Sequence, residues 1–218
     1  SMFPATKLID TSFFIIPAKV LSSMFKVQGS EFNSQQPTAN SQRIYLIGYM
    51  GSGKTSALKH LANKMSWQGI DLDKLFEEKY KISVQDFFHK YDEAAFRKLE
   101  SQLLKDTANL ENVIIATGGG TPCFFDNMEW MNENGTTVFL KVAPMTAVHR
   151  LMQSKKKRPL IEGKSEQEVI EFVNKHYGDR MRFYEQAHIT VKGESLDVEE
   201  LVSELRLLAI EPFLNPIN

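Results

Sequence analysis

Short apolar runs alternate along this chain with longer stretches in which apolar residues recur at helical spacing. The runs Ile44–Ile47, Trp67–Asp71, Val113–Ala116, Thr137–Val142 and His188–Val191 predict five strands. Helical periodicity predicts helices over Thr55–Met65, Val84–Thr107, Pro144–Met152, Glu166–Tyr184 and Asp197–Leu208. Pro144 suits the first turn of its helix, where a missing N–H costs nothing. Strand and helix in this alternation predict an α/β protein, with parallel strands in one sheet and crossover helices on both of its faces. Ligands of such sheets gather beyond the carboxyl ends of the strands, and candidate residues are weighed by that rule.

The alternation begins only at Arg43. Residues 1–41 contain an apolar patch, Phe13–Leu21, interrupted by Pro17 and Lys19. It is too short to span a bilayer and unlike a secretion signal, and the polar stretch GSEFNSQQPTANSQ follows it. This segment reads as a flexible extension not needed for activity, with partner docking or targeting as the alternatives. Residues 42–210 then form one domain and 211–218 a tail. The formal net charge of −1 gives no bulk attraction for nucleic acid or an anionic membrane. A single cysteine, Cys123, rules out an internal disulfide and suits a reducing compartment. The five histidines are scattered without metal-ligand spacing, so a zinc site is not expected.

The first strand runs into Gly48-x-x-x-x-Gly53-Lys54-Thr55, with a helix after it. That pattern in that context is a phosphate-binding loop: consecutive backbone N–H groups and a helix N-terminus form a concave anion site. Lys54 can bridge terminal phosphates and the Thr55 hydroxyl can ligate magnesium. The loop by itself does not distinguish switches, motors and small-molecule kinases. The second strand ends in Asp71-Leu72-Asp73. On an extended chain the two carboxylates face one side, so one can orient magnesium or its waters while the other accepts a hydroxyl proton. The competing reading makes Asp73 a helix N-cap. Gly118-Gly119-Gly120 after the third strand suggests close backbone approach to a ligand, against a merely flexible loop. Arg97 would otherwise form a surface pair with Glu93 worth tenths of a kcal/mol. Lys155-Lys156-Lys157-Arg158 would otherwise be a solvated charge run, yet Arg158 beside Pro-Leu can close over phosphates as a lid.

With these residues in view, the chain resembles the shikimate kinase family. The resemblance is carried by GYMGSGKT, the aspartates at 71 and 73, FRKLE at 96–100, the glycine triplet, RPL at 158–160 and RMRFY at 180–184. It covers about Arg43 to Leu208, and only the combination is specific. It implies a three-layer P-loop kinase fold on a central five-stranded parallel sheet, with a small helical substrate-binding region over about 74–104 and a mobile lid over about 153–164. It also implies ATP-dependent phosphorylation of the shikimate 3-hydroxyl, with magnesium as cofactor. Asp73, Lys54 and Arg158 are the catalytic residues in this light. ATP would be held by Gly51, Ser52, Gly53, Lys54, Thr55, Ser56 and Arg158. Shikimate would be held by Asp73, Arg97, Gly119, Gly120 and Arg180, and magnesium by Thr55 and, through water, by Asp71. Arg150 and the Lys192–Asp197 stretch would lie near adenine. The expected partners are these two small molecules, with no nucleic acid and no membrane, and the chain is expected to act as a cytoplasmic monomer. A kinase of another small polyol acid, or an adaptor that has lost transfer, are the rival readings. Thr121-Pro122-Cys123 departs from the usual pattern without removing an expected ligand.

Overall fold

The structure is a computed structural model and describes residues 43–154, 161 and 163–214, with side chains up to Leu207 in the last helix. The expected extension, Arg158 with the centre of the expected lid, and the last four residues lie outside the described residues. Five parallel strands form one sheet: β1 (Arg43–Ile47), β2 (Gln68–Asp71), β3 (Val113–Ala116), β4 (Thr136–Lys141) and β5 (Ile189–Lys192), in the order β2-β3-β1-β4-β5. Each lies within a residue of its predicted run, the ordinary uncertainty of strand ends.

Alternate residues of the strands feed two cores. Ile44 and Leu46 of β1 pack on one face with Leu58 and Leu61 of α1 (Lys54–Met65) and Leu201 and Val202 of α8 (Val198–Leu214). Tyr45 and Ile47 pack on the other with the remaining helices. Every residue of β1 and β3 is buried, which explains why both read as continuous apolar runs rather than alternating ones.

Several helical expectations need correction. Three helices occupy the stretch between β2 and β3: α2 (Leu72–Tyr80), α3 (Val84–Lys90) and α4 (Glu93–Asp106). The single helix expected over Val84–Thr107 is broken because Asp92 caps a new one, its carboxylate accepting the Ala95 N–H at 2.7 Å. A further helix, α5 (Asn127–Asn134), was not anticipated, since only Asn127, Met128 and Met131 of its polar sequence are buried. Then come α6 (Pro144–Gln153), with Pro144 in its first turn, and α7 (Glu166–Tyr184), opened by a capping box between Ser165 and Glu168. The last helix continues through Leu214, into the expected tail.

Register gathers the chemistry at one end of the sheet. Ala116 pairs with both Leu46 and Asp71, so the loop after β1, the acid at the end of β2 and the triplet after β3 leave the sheet side by side. The Thr117 N–H donates to Leu46 O at 3.1 Å and continues the ladder one residue further.

Candidate active site

The phosphate loop is built on backbone conformations that side chains resist. Gly51 and Gly53 have φ of 81° and 98°, in the left-handed region that glycine alone enters freely. Gly53 starts α1 with no side-chain cap, and no acid lies in the first turn. The orphan N–H groups and positive dipole end therefore face an open cavity of about 700 Å³. Lys54 is nearly buried, and its Nζ donates to Gly48 O at 2.7 Å, Tyr49 O at 3.0 Å and Ser52 Oγ at 3.4 Å. Its charge is thereby fixed at the loop. Ser56 lines the same cavity one residue beyond Thr55.

The Thr55 hydroxyl donates to Asp71 Oδ2 at 2.9 Å, and Asp71 Oδ1 accepts the Lys74 N–H at 3.4 Å. The N-cap of α2 is thus Asp71 rather than Asp73. Asp73 lies inside the first helical turn, so the two acids do not share a face of an extended strand as expected. They converge because the strand ends at Asp71 and the helix carries Asp73 back over the same cavity. A side-chain hydroxyl beside one carboxylate offers hard oxygen donors that fit a magnesium ion. Among the described residues no group of three His, Cys, Asp or Glu side chains could hold a metal. An ion here would therefore be shared with phosphates and water, the usual arrangement for magnesium.

A smaller chamber of about 110 Å³ adjoins the first, and Met50, Asp73, Gly118 and Gly119 line both. Arg97, Glu100, Gly120 and Arg180 line the small chamber only. Arg97 is not the surface residue of its bland reading. It is 6% exposed; Nε and Nη2 donate to Glu93 Oε1 at 3.1 and 2.9 Å, and Nη1 to Glu100 Oε2 at 2.8 Å. Burial works against its charge, but Glu100 and Glu93 more than offset that and hold its pKa above the usual guanidinium value. Glu100 is buried too and also accepts from the Thr121 hydroxyl at 2.7 Å; desolvation pushes its pKa up. The Phe124 ring lies 4.4 Å from the guanidinium carbon, within cation–π range. Thr121 opens the stretch that departs from the family pattern, and Phe124 follows it directly. No local sequence signal connects them to Arg97, which only folding brings near.

The triplet is tight for a reason within the protein. A Cβ on Gly120 would lie 2.6 to 2.7 Å from three guanidinium atoms of Arg97, and one on Gly119 would lie 3.1 Å from Met50 N. Their carbonyls are engaged as well: the Tyr184 hydroxyl donates to Gly119 O at 2.6 Å, and the Cys123 N–H to Gly120 O at 2.8 Å. On the other side of the larger cavity, Arg150 Nη1 donates to Gly51 O at 3.0 Å and Nη2 reaches Gly193 O at 3.5 Å. Gly193, Glu194 and Leu196 come from the Lys192–Asp197 stretch and line that cavity, and Glu194 Oε1 accepts the Ala143 N–H at 2.6 Å. Of the sequence-derived site residues, only Arg158 lies outside the described residues.

A phosphate loop at the central strand of a parallel sheet, with a second polar chamber opening from it, defines a small-molecule P-loop kinase. Comparison with known proteins narrows this. Residues 50–208 match the family described as shikimate kinase. A curated shikimate kinase of Phocaeicola vulgatus is 46% identical over 155 residues, spanning 71% of this chain and 89% of the relative. The crystal structure of shikimate kinase from Bacteroides thetaiotaomicron superposes with a TM-score of 0.71 at 42% identity, covering 77% of this chain and 97% of that one. The Acinetobacter baumannii shikimate kinase, solved in complex with shikimate, gives a TM-score of 0.68 at 27% identity, covering 81% and 97%. The chain belongs to the shikimate kinase family.

Proposed function

We propose that this protein transfers the γ-phosphoryl group of ATP to the 3-hydroxyl of shikimate, giving shikimate 3-phosphate and ADP on the route to aromatic amino acids. The observation that carries the reading is the junction: Asp73 lines both the cavity at the phosphate loop and the small chamber beside Arg97 and Arg180. A hydroxyl in the small chamber and a phosphoryl group at the loop would meet beside that carboxylate. Family membership supplies the identity of the acid alcohol.

The roles follow from the chemistry of each group. Two buried guanidinium groups suit one substrate carboxylate, with planar geometry that allows paired hydrogen bonds. Gly119 and Gly120 line the chamber and would meet the ring through their backbone, and helices α2 to α4 form the substrate-binding region. Asp73 orients the 3-hydroxyl and takes its proton as the oxygen attacks phosphorus. Lys54 and the loop residues Gly51, Ser52, Gly53, Thr55 and Ser56 hold the phosphates and stabilise charge developing on them. Thr55 and Asp71 would hold magnesium, which supplies charge neutralisation across the phosphate oxygens when bound. Arg150 and the Gly193–Leu196 stretch border the place left for the base. Arg158 is assigned to the phosphates by resemblance alone. Among the described residues no helix is long and apolar enough to cross a membrane. Cys123 is half-buried, and burial pushes its thiol pKa up to about 11.

The direct test is ADP release by the purified protein with ATP, magnesium and a panel of small hydroxylated acids. Shikimate should drive turnover and gluconate should not. Preference for gluconate would overturn the substrate, and ADP release indifferent to any acid would overturn the transfer.

Two substitutions probe the small chamber. Arg97→Ala should raise the KM for shikimate by about 10- to 100-fold, the worth of a hydrogen bond to a charged group, with the KM for ATP nearly unchanged. Gly120→Ala should do much the same with the arginine still present, since its methyl would clash with the Arg97 guanidinium and strain the contacts with Glu93, Glu100 and Phe124 that hold it in the chamber. Steady-state kinetics with each substrate varied would check both. A rise confined to the KM for ATP would contradict the allocation.

A further inference from the structure

Tyr49 sits inside the phosphate loop, where the loop pattern assigns no role to its side chain. Its backbone carbonyl accepts from Lys54 Nζ at 3.0 Å. Its ring, fully buried, points away from the phosphates and into α7. There the hydroxyl hydrogen-bonds to His176 Nδ1 at 3.0 Å, across 127 residues of sequence. The ring packs 5.2 Å from Tyr177, and the guanidinium of Arg180 lies 5.9 Å from its centroid. His176 and Arg180 are four residues apart on one helix and therefore share a face.

We propose that Tyr49 and His176 form a positioning couple that ties α7 to the phosphate loop and thereby sets where Arg180 stands in the substrate chamber. The inference rests on the reading that Arg180 meets the substrate carboxylate. A long cationic side chain has many rotamers, and holding it near one of them needs fixed surroundings at its base. The aromatic contacts of Tyr49 resist sliding only weakly in direction; its hydrogen bond to His176 fixes both the rotation and the rise of the helix one turn before Arg180. The ring of His176 is kept neutral for this: burial chiefly, with the Arg180 charge adding to it, pushes its pKa down to about 4. A neutral imidazole can share a helix face with Arg180 without repelling it. The loop thus holds Lys54 through the carbonyl of Tyr49 and the helix of Arg180 through its hydroxyl, and the two cations are referenced to one residue.

The couple predicts a pattern that a merely structural hydrogen bond would not give. Tyr49→Phe deletes only the hydroxyl and leaves the loop backbone and ring packing as they are. It should raise the KM for shikimate by about three- to tenfold, as expected for one lost hydrogen bond, with kcat and the KM for ATP moving less than about twofold. His176→Phe should do the same, and the double variant should be no worse than either single one, because both remove one interaction. His176→Gln, which keeps a hydrogen-bonding group near the hydroxyl, should recover part of the loss. Multiplying effects in the double variant, a rise in the KM for ATP alone, or a lowered Tm with an unchanged KM for shikimate would each overturn the couple. Arg180→Ala separates the two layers of the argument. If it leaves the KM for shikimate unchanged, the assignment of Arg180 fails. If it raises that KM while Tyr49→Phe does not, the couple alone fails.

Discussion

Asp73→Asn is expected to fold normally, bind both substrates, and lose kcat by about 10³-fold, within the range of about 10²–10⁴ that a positioned proton acceptor contributes. The substitution is nearly isosteric. The helix that carries the residue is capped by Asp71, not by Asp73, so the scaffold should survive. What disappears is a charge and a basic oxygen at the one acidic side chain that, among the described residues, lines both chambers. An amide can still accept a hydrogen bond from a hydroxyl, which is why the KM for shikimate should move little. Single-turnover mixing with saturating ATP and shikimate isolates the step. Retention of more than about a tenth of the wild-type rate would remove Asp73 as the proton acceptor.

Lys54→Met should have an effect of similar size by a different route. Methionine keeps the apolar stem and removes the ammonium that Gly48 O, Tyr49 O and Ser52 Oγ hold at the loop. The charge is fixed before any phosphate arrives, so it needs no reorganisation as negative charge builds on the transferred group. A fall in kcat of about 10²–10³-fold is expected, with a smaller weakening of ATP binding because the backbone N–H groups and the start of α1 remain. Circular dichroism and the Tm should show a folded protein. A variant that bound ATP far more weakly but kept its rate at saturating nucleotide would make Lys54 a binding group rather than a stabiliser of the transition state.

The two variants differ in one further respect. Asp73→Asn should fail even when the acid alcohol is bound at saturation, since its role lies with the hydroxyl. Lys54→Met should also slow any background hydrolysis of ATP, because the phosphoryl group is the same whether water or alcohol attacks. Parallel measurement of ATP hydrolysis without shikimate therefore distinguishes the two roles.

Some features were written locally. Buried parallel strands are short apolar runs, so β1 to β5 stood out to within a residue of their limits. The phosphate loop is a matter of glycine conformations and adjacent N–H groups inside one turn, and α7 carries its own capping box and was predicted to the residue. Other features needed competition between neighbouring segments. The strand end at Asp71 was expected, but the extended chain assumed to carry both acids was not: Asp71 takes the Lys74 N–H and starts a helix, and a residue-by-residue pattern does not rank a cap against one more extended position. The break between α3 and α4 is likewise an N-cap, Asp92, embedded in an otherwise unbroken helical period.

The sequence by itself determined the class of sheet, the phosphate loop and the motif set that marks the family. Each of these is legible in short segments: the period of every strand and helix, the glycine torsions of one turn, and the residues of each motif. Only the tertiary structure decided that Arg97 is buried between two carboxylates and an aromatic ring, that Gly120 is small on its account, and that Tyr49 meets His176. Burial and long-range contact are properties of how distant segments pack, and the energy of a charge depends on that packing more than on its identity. An arginine, a glycine and a tyrosine carry in their own names no record of which neighbours folding will give them.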